Sequence, residues 1–277
     1  MAITKVLIAV KTYPTLSGKY DELVCTAGFR EDGTWIRIYP IPFRKLRNES
    51  QYKKWQWITL DLVKNESDLR MESYRPYNID NDIVLGETVN TDNNWAKRKP
   101  FALKQVYYNL KTLIDESKKA PYKSLAVLKP KEIKDFIWEP VEREWDEDKL
   151  KKIYANHQQL SLFEKYDKAD AFKIVRKLPY KFSYVFTTED GVERTMMIED
   201  WELGCLFWNC LRTNGGNEQL ACEAVRHKYF KEMIEGKDFY FFLGTTKSFH
   251  WVAPNPYIII GTFWPKKEIE QPSLFDI

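Results

Sequence analysis

The chain has 277 residues, enough to bury one large core or two ordinary ones, and two domains are the expectation. Hydrophobic residues make up 44% and charged residues 30%, a mixture that excludes both a disordered and a membrane-embedded chain. The net charge of +3 excludes the long-range field of a histone-like protein, so any polyanion would have to be held by local patches.

Aromatic residues reach 15%, with 10 Trp, 16 Tyr and 16 Phe, more than a core requires and also suited to stacking on bases. Cys25, Cys205, Cys210 and Cys222 follow no regular spacing, and the apolar run at Val6–Val10 is too short for a signal or membrane helix. The expectation is a reduced, cytoplasmic protein with no membrane partner.

The first third reads as strands: "TKVLIAVKTY", "DELVCTAGFR", "TWIRIYPIPF" and "WQWITLDLVKN", separated by turn signals. Asp32 and Gly33 are predicted to take the positive φ of a tight hairpin turn. With "DLRMESYRPY" and "DIVLGETV" these make an antiparallel, OB-like small β-barrel. From Trp95 to Asp115 the residues Phe101, Val106, Leu110, Leu113 and Ile114 form one helical stripe. "SLAVLKPKEIKDFIWEP" reads as a further strand of the first unit.

Residues 141–171 are very polar and predict a linker or exposed helical arm. Beyond them a hairpin ("LPYKFSYVF", "VERTMMI"), two helical patterns split by "NGG", and two strands ("DFYFFLGT", "YIIIGTFWP") give the order ββααββ. The predicted class is α+β. The expected units are a barrel domain with a helical insertion over 1–140, a polar arm over 141–171, an α+β domain over 172–267 and an exposed tail over 268–277.

In "TWIRIYP" the period of two puts Ile36 and Ile38 on one face and Trp35, Arg37 and Tyr39 on the other. Arg44, Lys45 and Arg47 follow, and "KKWQW" adds Trp55 and Trp57. Rings beside cations are what a surface needs to stack bases and hold phosphates, so these eight residues are candidate contacts to DNA, single strands included, or to RNA. The competing reading covers the aromatic face with the helix around Val106 and Leu110, leaving Arg37 in a buried ion pair.

Glu199, Asp200 and Glu202 cluster after a strand, as the carboxylates of a Mg²⁺-dependent nuclease would. The same acids suit a helix start, one as cap and one in the first turn. A nuclease site needs a lysine nearby, and the nearest downstream is Lys228. Cys205, Cys210, Cys222 and His227 lack zinc spacing, so no metal or other cofactor is expected. His250 falls in a predicted loop beside Lys247 and Trp251.

Two stretches echo each other, "QLSLF" at Gln159–Phe163 and "QPSLF" at Gln271–Phe275. Both resemble the short peptide by which bacterial replication and repair proteins dock onto the sliding clamp. The resemblance implies that Leu162–Phe163 and Leu274–Phe275 fill an apolar pocket on that partner, while Gln159 and Gln271 fix register. In addition, "VCTAGFREDGTWIRIYPI" resembles a group of largely uncharacterised bacterial proteins with tandem OB-like domains, linked with mobile elements and defence against phage. Cys25, Ala27, Gly28, Gly33, Trp35, Ile36 and Arg37 carry that resemblance, and "FFLGT" and "IIIGTFWP" look like its closing strands.

Together these readings predict a DNA-associated protein that docks on the clamp in replication-coupled repair, mobile-element propagation or phage defence. A metal-dependent nuclease and a pure protein-interaction module are the alternatives.

Overall fold

A computed structural model describes residues 2–17, 21–78, 83–163 and 174–268, the side chains of Ala2 and of 156–163 excepted. The "QPSLF" copy therefore lies outside the described residues, and of the "QLSLF" copy only the backbone is described. The chain is a mixed α+β structure that begins with a closed five-stranded barrel.

The barrel is made by β1 (Ala2–Lys11), β3 (Asp21–Arg30), β4 (Trp35–Ile41), β5 (Gln56–Lys64) and β6 (Ser73–Pro76), with β2 (Thr15–Ser17) paired to β3 and β7 (Val84–Thr88) paired to β5. Its ring order is β1-β3-β4-β6-β5 and back to β1. All pairings are antiparallel except β4 with β6, a closure compatible with an OB-like barrel. Ile36 and Ile38 point inward with Val6, Ile8, Ile58 and Leu60. At the β3–β4 turn Gly33 takes φ +77° and Asp32 instead accepts from Thr34 N at 2.8 Å, so only the glycine needs the left-handed region.

The helix expected over 95–115 is interrupted. Asn93, Asn94 and Trp95 take positive φ, leaving the short turns α1 (Asp92–Trp95) and α2 (Lys99–Ala102), a two-residue strand β8 (Val106–Tyr107) and then α3 (Leu110–Ser117). Apolar spacing alone does not register such turns.

Next come β9 (Leu125–Leu128), β10 (Glu132–Pro140), α4 (Glu147–Phe163), β11 (Tyr180–Thr187) and β12 (Glu193–Met197). The chain then forms α5 (Trp201–Thr213), α6 (Glu218–Arg226), a π-helical turn at His227–Glu232, β13 (Tyr240–Thr245), α7 (Lys247–His250) and β14 (Tyr257–Phe263). β9 pairs with β13 and β10 with β11, so the strands expected to complete the first unit belong with the C-terminal ones. The expected boundary at residue 140 is corrected accordingly: the period of a strand reveals its faces, not its partner.

Sheets β10-β11-β12 and β14-β13-β9-β8 meet at a parallel bridge between Ile198 and Ile259, where Glu199 N donates to Ile259 O at 2.8 Å. Taking β9 and β10 as one interrupted strand, the second unit repeats the ring order of the first. Its interior is filled by Phe136, Phe182, Tyr184, Phe186, Phe207 and Phe241.

A second hydrophobic layer lies between the units. Alternate residues of one strand serve different cores: Phe241 and Leu243 face the second interior, while Tyr240 and Phe242 meet Leu7, Val10, Ala27 and Phe29 of the first barrel. Strands buried on both faces carry continuous apolar runs, which explains "LAVL", "YFFL" and "YIII". Gly28 is required here, because a Cβ on it would lie 2.1 Å from Leu7 O.

Candidate functional site: a cavity between the two units

The outward face of β4 is largely covered, Tyr39 excepted. Trp35 packs against Phe29 (centroids 4.1 Å apart) and Phe242 (5.4 Å), and Trp55 against Phe263 (5.6 Å). Arg37, Trp55 and Trp57 are only 2%, 6% and 8% exposed, so the stacking surface expected on this face is instead the layer between the units. Strands β13 and β14 close this face, with Phe101, Leu103 and Val106 packed along the same layer, whereas Leu110 belongs to the second interior.

The guanidinium of Arg37 crosses that layer. It donates to Ser124 Oγ at 2.6 Å and to the carbonyls of Ser124 and Thr245, both at 3.2 Å. The Glu72 carboxylate accepts from Ser124 N at 3.1 Å, from Ser124 Oγ at 2.7 Å and from Leu125 N at 3.3 Å. Arg70, on the same loop, pairs with Asp68 through two bonds of 2.9 and 2.6 Å and also reaches Thr245 O. Burial disfavours the Asp68 carboxylate, but the bonds from Arg70 and Ser73 prevail and hold its pKa well below the usual range.

The other expected cations are engaged with acids. Arg44 pairs with Glu22 at 2.7 Å, Lys45 with Asp21, and the exposed Arg47 with Glu49 at 3.5 Å. Tyr39 is 40% exposed and stands at the edge of a cavity of about 810 Å³.

This cavity is built by both units. From the barrel come Thr15 before β3, Arg37 and Tyr39 on β4, and the loop from Asn65 to Arg70 between β5 and β6. From the second unit come Glu199 after β12, Thr245 to Ser248 after β13, and Ile258 and Ile260 of β14. Arg75 and Lys247 at its lining have no carboxylate partner among the described residues; Lys247 makes only a 3.4 Å bond to Ser67 Oγ. The acids at its lining without a cation partner are Glu66 and Glu199, because Asp68 is already paired with Arg70.

Several polar groups of the residues around the cavity lack partners. Arg37 Nε and Thr246 Oγ1 are buried without a hydrogen bond. Thr246 stands at the N-cap of α7, yet its hydroxyl makes no capping bond. The Glu199 carboxyl has no hydrogen-bond or charged partner among the described residues, and burial pushes its pKa up. Natural interiors seldom leave such atoms unmade, because each costs about 1–3 kcal/mol.

The three acids expected to act together are separated. Asp200 caps α5, accepting from Glu202 N at 2.7 Å, and its two oxygens take Lys54 Nζ at 2.8 and 2.7 Å. Glu202 is 62% exposed on its side chain and reaches the same lysine at 3.1 Å. Glu199 turns the other way, into the cavity. No group of three metal-ligating side chains occurs among the described residues, so the helix-start reading of these acids is the one the geometry follows. The lysine missing from the sequence neighbourhood is Lys54, supplied by the first barrel.

His250 is buried rather than in an exposed loop. Its Nδ1 lies 2.8 Å from Thr245 Oγ1, and burial with Arg70 and Lys118 nearby lowers its pKa to about 4. Through Thr245 it supports a residue that lines the cavity. Lys247 stands beside His250 in the sequence, but no motif singled out Arg70, Arg75 or Thr246; the signal for those was the density of polar residues in "NESDLRME" and "GTTKS".

Two family models cover the chain, one over residues 2–104 (domain of unknown function DUF8758) and one over residues 96–277 (domain of unknown function DUF8757). The chain belongs to the DUF8757 family. In this member of DUF8757 the boundary between the matched regions falls in the α1–α2 turns, between the two rings of strands. No curated protein matches it. Among solved structures, a murine DNA binding protein bound with ds DNA is similar at 11% identity over 98% of this chain and 99% of that chain, with a TM-score of 0.32. No helix among the described residues is long and apolar enough to cross a membrane.

Proposed function

We propose that this protein binds single-stranded nucleic acid in the cavity between its two units and is tethered to the bacterial sliding clamp by its two Gln-x-Ser-Leu-Phe peptides. One observation carries the first half. The cavity opens where OB-like barrels hold oligonucleotides, at the face of the second and third ring strands and the loops flanking them, here β3, β4, Thr15 and residues 65–70. Arg75 and Lys247, two lining cations without acid partners among the described residues, supply phosphate contacts in this reading.

The clamp half is supported by the paired peptides at Gln159–Phe163 and Gln271–Phe275, whose Leu-Phe pairs would act as anchors at two of the clamp's pockets. A reduced cytoplasmic setting and a role in repair, mobile-element propagation or phage defence follow from that partner. The metal-nuclease alternative is supported by Lys54 beside Asp200 and Glu202 but loses ground because Glu199 lines the cavity and does not converge with them.

Fluorescence anisotropy with a labelled single strand at low salt tests the first half. Arg75→Glu with Lys247→Glu is expected to weaken binding at least tenfold and to flatten the slope of log K against log salt by about 1.4, the share of two phosphates. Unchanged affinity and slope would refute the site. Clamp capture by the wild type, lost when Leu162, Phe163, Leu274 and Phe275 are all alanine, tests the second half; equal capture by both refutes it.

A further inference from the structure

Beside the cavity, apolar side chains stand in solvent. The short helix α7 buries His250 and turns its other side outward: Phe249 is 61% and Trp251 44% exposed, and Val252 follows them into solvent. Leu69 and Met71, on the segment that joins β5 to β6, are exposed as well. The two segments are tied together. Lys247 Nζ lies 3.4 Å from Ser67 Oγ, and Arg70 reaches Thr245 O. Met71 N donates at 3.4 Å to Tyr122 O, and the ring of Tyr122 packs against Trp251 with centroids 5.0 Å apart. Exposed apolar groups gathered in one place, rather than scattered singly, mark a surface that meets a partner.

The chemistry of that partner is written in the composition and size of the patch. Lys247 and Trp251 are four positions apart across one helical turn and so stand on the same side of it. Lys118 donates to the carbonyls of His250 at 2.6 Å and Ala253 at 2.9 Å, and the O atom of the exposed Lys119 accepts from Tyr122 N at 2.7 Å. None of these three lysines has a carboxylate partner among the described residues, whereas on the facing segment only Glu66 is an unpaired acid, Asp68 being held by Arg70 and Glu72 by Ser124. The surplus charge is positive. Trp251 is also braced, since besides Tyr122 it meets the His250 ring at 4.5 Å, and a braced ring loses little freedom when another ring stacks on it. A stable protein interface takes roughly 20–30 residues a side, far more than this patch offers. Exposed rings beside unpaired ammonium groups match instead the alternation of base and phosphate along a single strand.

We infer that the solvent face of α7 is a base-stacking platform, on which bases of a single strand lie against Phe249 and Trp251 while Lys247 and Lys119 meet the neighbouring phosphates. The inference rests on the strand-binding reading above and supplies what that reading lacks, a contact for the bases. The rings first expected to stack, Trp35, Trp55 and Trp57, are packed between the two units, whereas those of α7 are open. Such a contact tolerates any sequence, because every base has a flat face. It also adds nothing to the salt dependence, because stacking releases no counterions.

The test is fluorescence anisotropy on the full chain with two labelled probes, an oligothymidine and a deoxyribose-phosphate strand of the same length without bases. Wild type is expected to bind the oligothymidine more tightly. Phe249→Ala and Trp251→Ala should each weaken oligothymidine binding at least about fivefold, the lower end for one stacked base, and leave the baseless strand within about twofold of wild type. That retained binding also shows that the variants are folded. The slope of log K against log salt should keep its wild-type value in both, unlike the flattening expected of Arg75→Glu with Lys247→Glu. Trp251→Phe, which keeps a ring, should recover most of the loss.

Unchanged oligothymidine affinity in the variant carrying both alanines would overturn the platform and leave the strand site in the cavity standing. Equal binding of the two probes by wild type would do the same. Failure of either probe to bind wild type at low salt would overturn the strand reading itself, and this inference with it. A wild-type dimer in sedimentation that the double variant loses, with strand affinity equal in both, would assign the face to a second copy of the chain and likewise overturn the platform.

Discussion

Arg37 of the first barrel and Ser124 of the second unit share a 2.6 Å hydrogen bond in which the guanidinium donates and the hydroxyl accepts. The same hydroxyl then donates to Glu72 at 2.7 Å, so one serine joins a buried cation to a buried anion. Each end of this relay depends on the other, because a charge left alone in such a place is more costly than the pair is stabilising.

Removing the relay should therefore destabilise the whole chain. Arg37→Met is expected to lower the free energy of unfolding by about 2–3 kcal/mol, the range for bonds to a buried charged group. Arg37→Lys should restore little of it, since an ammonium cannot span Ser124 and Thr245 as the planar fork does. Ser124→Ala should cost about 1–2 kcal/mol, and the double variant less than the sum of the two. Urea denaturation gives all four values, and strict additivity would contradict the relay.

Asp200 and Glu202 should behave differently despite lying two residues apart. Asp200→Ala removes the cap of α5 and strands the nearly buried Lys54, an expected loss of about 3–5 kcal/mol. Glu202, largely exposed, makes the longer contact, and Glu202→Ala should cost under about 1 kcal/mol. Denaturation midpoints settle the comparison; similar losses at both positions would mean that the lysine is not held mainly by Asp200.

Lys11 gives a pH dependence of defined sign. It is 7% exposed, donates to Tyr52 O at 3.1 Å and lies 4.3 Å from the Phe43 ring centre. Burial, with Lys54 adding to it, lowers its pKa from 10.5 to about 8. Below about 8 the folded and unfolded chains are both protonated there and the full penalty applies. Between that value and the unfolded pKa of about 10.4 the unfolded chain binds more protons, so this residue makes stability rise with pH, by roughly 3 kcal/mol in total. Tyr52, Tyr184 and Tyr257 are pushed up by burial and act in the opposite sense at the alkaline end. The quantity to measure is thus the wild-type stability minus that of Lys11→Met from pH 7.5 upward; a flat difference would contradict the shift.

The layer between the units predicts that the first family region does not stand alone. A fragment ending at residue 104 would bare Ala27, Phe29, Trp55 and Trp57, which in the full chain face Phe242, Ile260 and Phe263. An apolar surface of that extent drives association. The fragment is expected to elute as aggregates and to bind ANS, whereas the full chain does neither. A monomeric, dye-silent fragment would show that the barrel closes without its neighbour.

Much of the fold was legible in the chain. The strands of the first ring, the inward Ile36 and Ile38, and the late helix–helix–strand order all follow from short-range periodicity, which is a property of adjacent residues. The even apolarity of "LAVL" and "YFFL" also carried information: it signals strands that lie between two cores. What periodicity cannot supply is the identity of a partner. Lys54 and Asp200 are 146 positions apart, and Arg37 and Thr245 are 208 apart; no local pattern links either pair. The aromatic strand face shows the same limit, because a buried layer and a stacking platform require the same rings, and only the tertiary arrangement says which one they form.

The cavity walls raise a point about how this family can change. Its floor strands are pinned by two hydrophobic interiors, whereas the exposed residues 66–67 and 247–248 line the cavity beside the buried anchors Asp68, Arg70 and Thr245. Insertions there would resize or recharge the opening without disturbing either interior, since surface connections tolerate added residues at small entropic cost. Relatives that keep Arg37, Ser124 and Glu72 but vary in those two segments would share a scaffold and differ in what they admit.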